Sequence, residues 1–185
     1  MTAASRPRRT AILRAAEREF GAAGYSGGRV ERIAAMARVN KQLLFHYFES
    51  KEGLFAAALD SLLQRAEPTQ APAESPVDQL RRMLESLQRS AGSQPGLVAI
   101  IADAQANGAF PSGARALVQA WRGRILAGLE AALAEGQRRG HFRDDLDPAF
   151  VAKLAFAMAM GSGTIGPAEP ADLAGRFLAD ACAWR

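Results

Sequence analysis

Apolar residues return every three to four positions through most of this 185-residue chain and nowhere alternate for long, a period that predicts helices and no strands. Ile12, Ala16 and Phe20 form one stripe with Arg14 and Arg18 off it, giving a first helix that ends by about Ala22, where Gly21 and Gly24 suit its terminus. Tyr25 reads as a plug for a small core. Val30, Ile33, Ala34 and Ala37 then share one face of a short second helix. The pattern breaks at Ala37-Arg38-Val39-Asn40, with Asn40 placed as N-cap of a third helix from about Lys41 to Tyr47. At about 100° per residue, Phe48 lies about 40° from Leu44, whereas Gln42 and His46 lie about 160° to 200° away. Leu44 and Phe48 therefore anchor that helix, and Gln42 and His46 point out. A fourth helix, about Lys51 to Arg65, carries Leu54, Ala58 and Leu62 on one line with Phe55 and Leu59 beside it, enough apolar surface for two cores.

Residues 67 to 76 contain three prolines and end the helical period, which makes them the one convincing linker. Beyond it the pattern predicts helices over Val77 to Ser90, over Leu97 to Ala106 before Asn107-Gly108 and Pro111, and over about Ser112 to Arg139, closed by Gly140. Asp147-Pro148 opens another to about Met160, and a last one spans about Pro170 to Trp184. The chain is read as all-α: residues 1–50 a three-helix head, 51–66 a connecting helix, 77–185 a helical body.

Charge sharpens this picture. The net charge is +4, yet residues 1 to 48 hold nine Lys or Arg against Glu17, Glu19 and Glu31, so the head carries +6 and the remainder −2. Positive charge gathered in the part of the chain that carries two short helices around a turn, with a slightly acidic remainder, is the footprint expected of a phosphate-backbone binder. Arg6, Arg8 and Arg9 form a basic arm suited to phosphate. One cysteine, Cys182, excludes an internal disulfide, and one Cys with two His cannot supply a four-ligand zinc site. MTAASRPRRT is basic without a following apolar run, and no segment reaches membrane-spanning length, so a cytoplasmic protein without a membrane partner is expected.

The segments ILRAAEREFGAAGY, VERIAAMARVN and LLFHYFESKEGLF occur in order, over roughly Arg9 to Leu62, and resemble the DNA-binding head of the TetR (tetracycline-repressor-like) transcriptional regulators. AEGQRRGHFRDDLDP is a local echo further on. The resemblance implies an N-terminal helix-turn-helix domain and a C-terminal ligand-binding and dimerisation domain. It implies base-edge contacts from Lys41, Gln42, Leu43, Phe45 and His46, and phosphate contacts from Arg29, Tyr47 and Lys51. Gln bonds adenine bidentately, Lys prefers guanine acceptors, and Leu or Phe presses on a thymine methyl. Four departures stand out. Gly28 and Arg29 occupy a helix start where Thr or Ser is usual, Arg38 a turn position often held by Gly, and Leu43 and Phe45 positions usually more polar.

A ligand pocket is expected between the helices of 77–139, with Met83, Leu87, Leu97, Ile100, Ile101, Phe110, Trp121 and Ile125 as walls and Asp103, Gln105, Asn107 and Arg122 as polar contacts. Such walls suit a small, largely apolar effector. The helix from Pro148 is apolar nearly all round, and with the terminal helix it looks like the pair through which the family dimerises, assigning Phe150, Phe156, Met160, Leu173, Phe177 and Ala181 to a homodimer interface. Two heads about 34 to 36 Å apart read successive major-groove faces of a palindrome. GxSxG, HExxH, CxxC and a phosphate-cradling Gly loop are missing, so no catalytic residue, cofactor or metal is assigned. Asp144, Asp145 and Asp147 read as solvated or capping. The expectation is a ligand-released, homodimeric DNA-binding repressor acting on a palindromic operator. The alternative is a ligand-sequestering or protein-interaction module whose DNA head is degenerate.

Overall fold

The structure, a computed structural model, describes residues 5–68, 74–106 and 110–161, the side chains of residues 5, 6, 105 and 106 excepted. Among them run eight helices and no strand: α1 (Ser5–Gly27), α2 (Val30–Ala37), α3 (Lys41–Phe48), α4 (Lys51–Arg65), α5 (Pro76–Ser93), α6 (Pro95–Ala106), α7 (Ser112–Arg138) and α8 (Pro148–Gly161). The expected helix over Pro170 to Trp184, and with it Leu173, Phe177 and Ala181, lies outside the described residues, as does Asn107.

The chain forms two compact units, and the division between them falls inside α7. Unit 1 comprises residues 1–65 and 94–119. In it α1 packs against α2, α4 and α6, burying Ile12, Phe20, Ile33, Leu44, Leu54, Phe55, Leu59 and Leu97 completely or nearly so. The Phe55 ring lies 4.9 Å from Phe20, 5.1 Å from Tyr25 and 5.4 Å from Phe110, in edge-on and tilted contacts. Tyr25 thus plugs a core, as its place after α1 suggests. The first helix runs past Ala22 to Gly27 but breaks at Gly24 (φ 67°, ψ −178°), the residue marked as its terminus. α6, grouped by sequence with the C-terminal body, is seated on α1 through two glycines. A Cβ on Gly96 would lie 2.8 Å from the Gly21 Cα, so the backbones meet where neither has a side chain.

Unit 2 comprises residues 66–93 and 120–185. Here α5 packs against α8, with Leu80, Leu84, Leu87, Trp121, Leu129, Val151 and Ala155 in the core. The Trp121 and Phe156 rings stand edge to face at 5.9 Å. Gly140 (φ 70°) closes α7 as anticipated: its own N–H donates to Gln137 O (3.0 Å) and that of His141 to Gly136 O (2.8 Å). Asp147 caps α8, accepting the Ala149 N–H at 3.1 Å.

Candidate nucleic-acid interface

The helix-turn-helix is assembled on a buried carboxylate. Glu19 sits on the inner face of α1 with only 3% of its surface exposed, accepting the Arg29 N–H at 3.1 Å and facing Arg32 Nε at 3.3 Å. Arg29 is the N-cap of α2, extended at φ −113°, ψ 121°, with no cap bond from its own side chain. A carboxylate brought from α1 thus serves the helix start that lacks a Ser or Thr, where the dipole favours an anion. At Gly28 itself a Cβ would lie 2.5 Å from Phe20 Cδ1. The departure from Thr or Ser is favoured by packing against Phe20.

The turn closes in the left-handed conformation that the Gly-like position of Arg38 implies. Arg38 adopts φ 55°, ψ 44°; its N–H donates to Ala35 O (3.1 Å) and that of Val39 to Ala34 O (3.0 Å), the paired bonds of a Schellman motif. Asn40 then caps α3, its Oδ1 accepting the Leu43 N–H at 2.7 Å. Within α3, Leu44 and Phe48 are buried and Lys41, Gln42 and His46 are exposed, as the 100° step requires; Leu43, Phe45 and Tyr47 are half-buried at the edges. The Lys41 ammonium meets a Glu31 carboxylate oxygen and lies 5.8 Å from the Phe45 ring centre. The hydrogen bond from Lys41 holds the Glu31 carboxyl below its ordinary value.

Cationic side chains flank this display. Ser50 caps α4 by accepting the Gly53 N–H at 2.9 Å. Lys51, first residue of α4, places its ammonium 4.9 Å from the Tyr25 ring centre and 3.3 Å from the Ser26 carbonyl. The Arg9 guanidinium stacks 5.3 Å over Phe48. Arg8 and Arg29 are exposed, and the Arg6 side chain lies outside the described residues. The structure therefore brings the expected base-facing and phosphate-facing residues it describes onto the helix-turn-helix and its flanks. The sequence reading missed Glu19, although an acid in step with Ile12, Ala16 and Phe20 was a signal.

Comparison with known proteins agrees over most of the chain. The family described as "Bacterial regulatory proteins, tetR family" matches residues 12–58, and "Tetracyclin repressor-like, C-terminal domain" matches residues 73–179, more than half the chain. The chain belongs to the TetR family. The HTH-type transcriptional repressor NicS of Pseudomonas putida is 28% identical over 139 residues, 73% of this chain and 66% of NicS. The HTH-type transcriptional repressor SCO4008 of Streptomyces coelicolor is 49% identical over 49 residues, 26% of each chain. The matched stretches thus span just under two thirds of one curated relative and about a quarter of the other. Among solved structures, that of AibR in complex with isovaleryl coenzyme A and operator DNA superposes with a TM-score of 0.75 at 24% identity, covering 91% of this chain and 96% of that one; it shares the fold.

The TetR-like body places the other expected site residues less uniformly. Leu97, Ile100, Ile101, Asp103 and Phe110 belong to unit 1, and Met83, Leu87, Trp121, Arg122 and Ile125 to unit 2. In unit 1 the α6 residues Leu97, Ile100 and Ile101 are buried core, and Phe110 joins the aromatic cluster on Phe55. In unit 2 a cavity of about 120 Å³ is lined by Met83 and Ile125, two expected walls, together with Glu67, Pro68, Arg124 and Gly128. Arg122 is exposed and does not line it; Arg124 does. On α8, Phe156 and Met160 are buried within the chain's own core, whereas Phe150 (58% exposed) and Leu154 (40%) remain open. With exposed Ala157 they follow the i, i+4, i+7 spacing of one helix face. Among the described residues no helix is long and apolar enough to cross a membrane, and no group of three or more His, Cys, Asp or Glu is arranged for a metal ion.

Proposed function

We propose that this TetR-family protein is a homodimeric transcriptional repressor that holds a palindromic operator in double-stranded DNA and leaves it when a small, largely apolar molecule enters unit 2. It acts by binding and not by catalysis, in the cytoplasm. The observation that carries the reading is the outward display of Lys41, Gln42 and His46 on a helix anchored by Leu44 and Phe48. In this reading Lys41, Gln42, Leu43, Phe45 and His46 meet base edges, with Gln42 the principal reader, and Arg6, Arg8, Arg9, Arg29, Tyr47 and Lys51 meet phosphates.

One such head buries too little surface to select a site, so two copies are needed, set about one duplex turn apart. The exposed line of Phe150, Leu154 and Ala157 on α8 supplies an apolar face for that pairing. AibR, solved in complex with isovaleryl coenzyme A and operator DNA, is a protein of this fold seen with both a small-molecule ligand and DNA. Effector binding favours a form whose two reading helices are wrongly spaced; a coupling of about 1 to 3 kcal/mol changes operator affinity about five- to 150-fold. The test is selection from random duplex DNA by the full-length chain. Recovery of an inverted repeat with half-sites about 10 base pairs apart, centre to centre, supports the reading; recovery of no shared sequence by a folded dimer overturns it.

A further inference from the structure

Unit 2 holds a polar pair that contributes little to its fold. Arg124 on α7 donates from Nε and Nη2 to the two carboxylate oxygens of Glu67, each at 3.1 Å. The side chains are 59% and 31% exposed, a setting in which an ion pair adds little stability. The pair stands on the cavity whose apolar lining is Met83, Ile125 and Pro68. Gly128 leaves the cavity its room, since a Cβ there would come within 2.9 Å of the Met83 methyl. Two turns before Gly128 on the same face of α7, the buried Trp121 Nε1 has no protein acceptor.

We propose that this cavity binds a small carboxylate with a short apolar tail, which replaces Glu67 on the Arg124 guanidinium. The fork already holds carboxylate geometry in both hydrogen bonds to Glu67, an intrachain occupant of that seat. An incoming carboxylate restores both bonds as Glu67 leaves to water, whereas a neutral amide of the same shape leaves a cation with a weaker partner. Met83, unbranched and adaptable, and Ile125 accept the tail. Glu67 lies two residues beyond the end of α4, the helix that begins with Lys51, so its displacement acts on the segment that continues that helix. This inference rests on the reading of unit 2 as the effector-binding part of a repressor.

The test titrates the full-length protein without DNA, using butanoate, hexanoate and their primary amides, followed by tryptophan fluorescence and thermal shift, in the wild type and in Glu67→Gln and Arg124→Gln. Carboxylates are expected to bind at least tenfold more tightly than their amides, Glu67→Gln to raise carboxylate affinity several-fold by removing the competitor, and Arg124→Gln to erase the preference. Equal affinity for acid and amide, unchanged preference in Arg124→Gln, or no carboxylate binding at millimolar concentration overturns the proposal. Carboxylate binding through Arg124 in a protein that selects no operator leaves this site standing and overturns the repressor reading.

Discussion

Replacing Gly28 by serine sets two rules of helix starts against each other. Capping statistics favour Ser over Gly before α2 by a few tenths of a kcal/mol. The structure removes that gain, because the N-cap seat belongs to Arg29 and its N–H is already bonded to Glu19. It adds a collision: the new Cβ would lie 2.5 and 2.7 Å from two Phe20 ring carbons and 3.0 Å from Gly24 O. Phe20 is 1% exposed and packed edge-on against Phe55 at 4.9 Å, so turning the ring aside disturbs the core. Overpacking of this kind costs about 1 to 3 kcal/mol, which for a chain of this size lowers the melting temperature by roughly 2 to 12 °C. Thermal unfolding followed by circular dichroism measures it, and combining Gly28→Ser with Phe20→Leu should cost less than the sum of the two, since the smaller side chain relieves the clash. Gly28→Ser as stable as the wild type, or more stable, would refute the packing argument and restore the capping one.

Arg38→Gly should stabilise the protein. The left-handed Arg costs about 1 to 2 kcal/mol, and the extra freedom of Gly in the unfolded chain takes back about 0.4 to 1 kcal/mol. The expected net gain, on the order of 0.5 to 1 kcal/mol, is read as a raised urea midpoint at unchanged slope. Arg38→Ala keeps the Cβ and should give no such gain.

Much of the head was legible because its signals are local. Asn40 as cap and Leu44 with Phe48 as anchors depend only on spacing along a few turns, and the structure keeps each of them, whereas the expected end of the first helix near Ala22 becomes a break at Gly24 inside a helix that runs to Gly27. What the sequence concealed involves partners far apart in the chain. Glu19 serves an N–H ten residues away, and the Gly21–Gly96 approach that draws α6 onto α1 joins positions separated by most of the intervening fold. The body shows a different limit. On α8 nearly every position is apolar, so periodicity carries no phase, and the inward Phe156 and Met160 cannot be told from the outward Phe150 and Leu154. On α7, Trp121 and Ile125 are flanked by two arginines. Arg124 lies about 40° from Gly128 and Arg122 about 120°, but Gly128 marks the cavity only once Met83 is known to sit against it.

The central claim is that α3 reads bases while its basic surroundings hold phosphate. Salt-dependent titration of the Gln42→Ala and Lys51→Ala variants, on the selected operator and on a scrambled duplex, tests it most directly. Lys51→Ala should weaken both duplexes alike and reduce the salt slope by about 1 per protomer, whereas Gln42→Ala should cost about 1 to 3 kcal/mol per contact on the operator alone. Equal loss on both duplexes from Gln42→Ala, or no loss on either, would contradict the account.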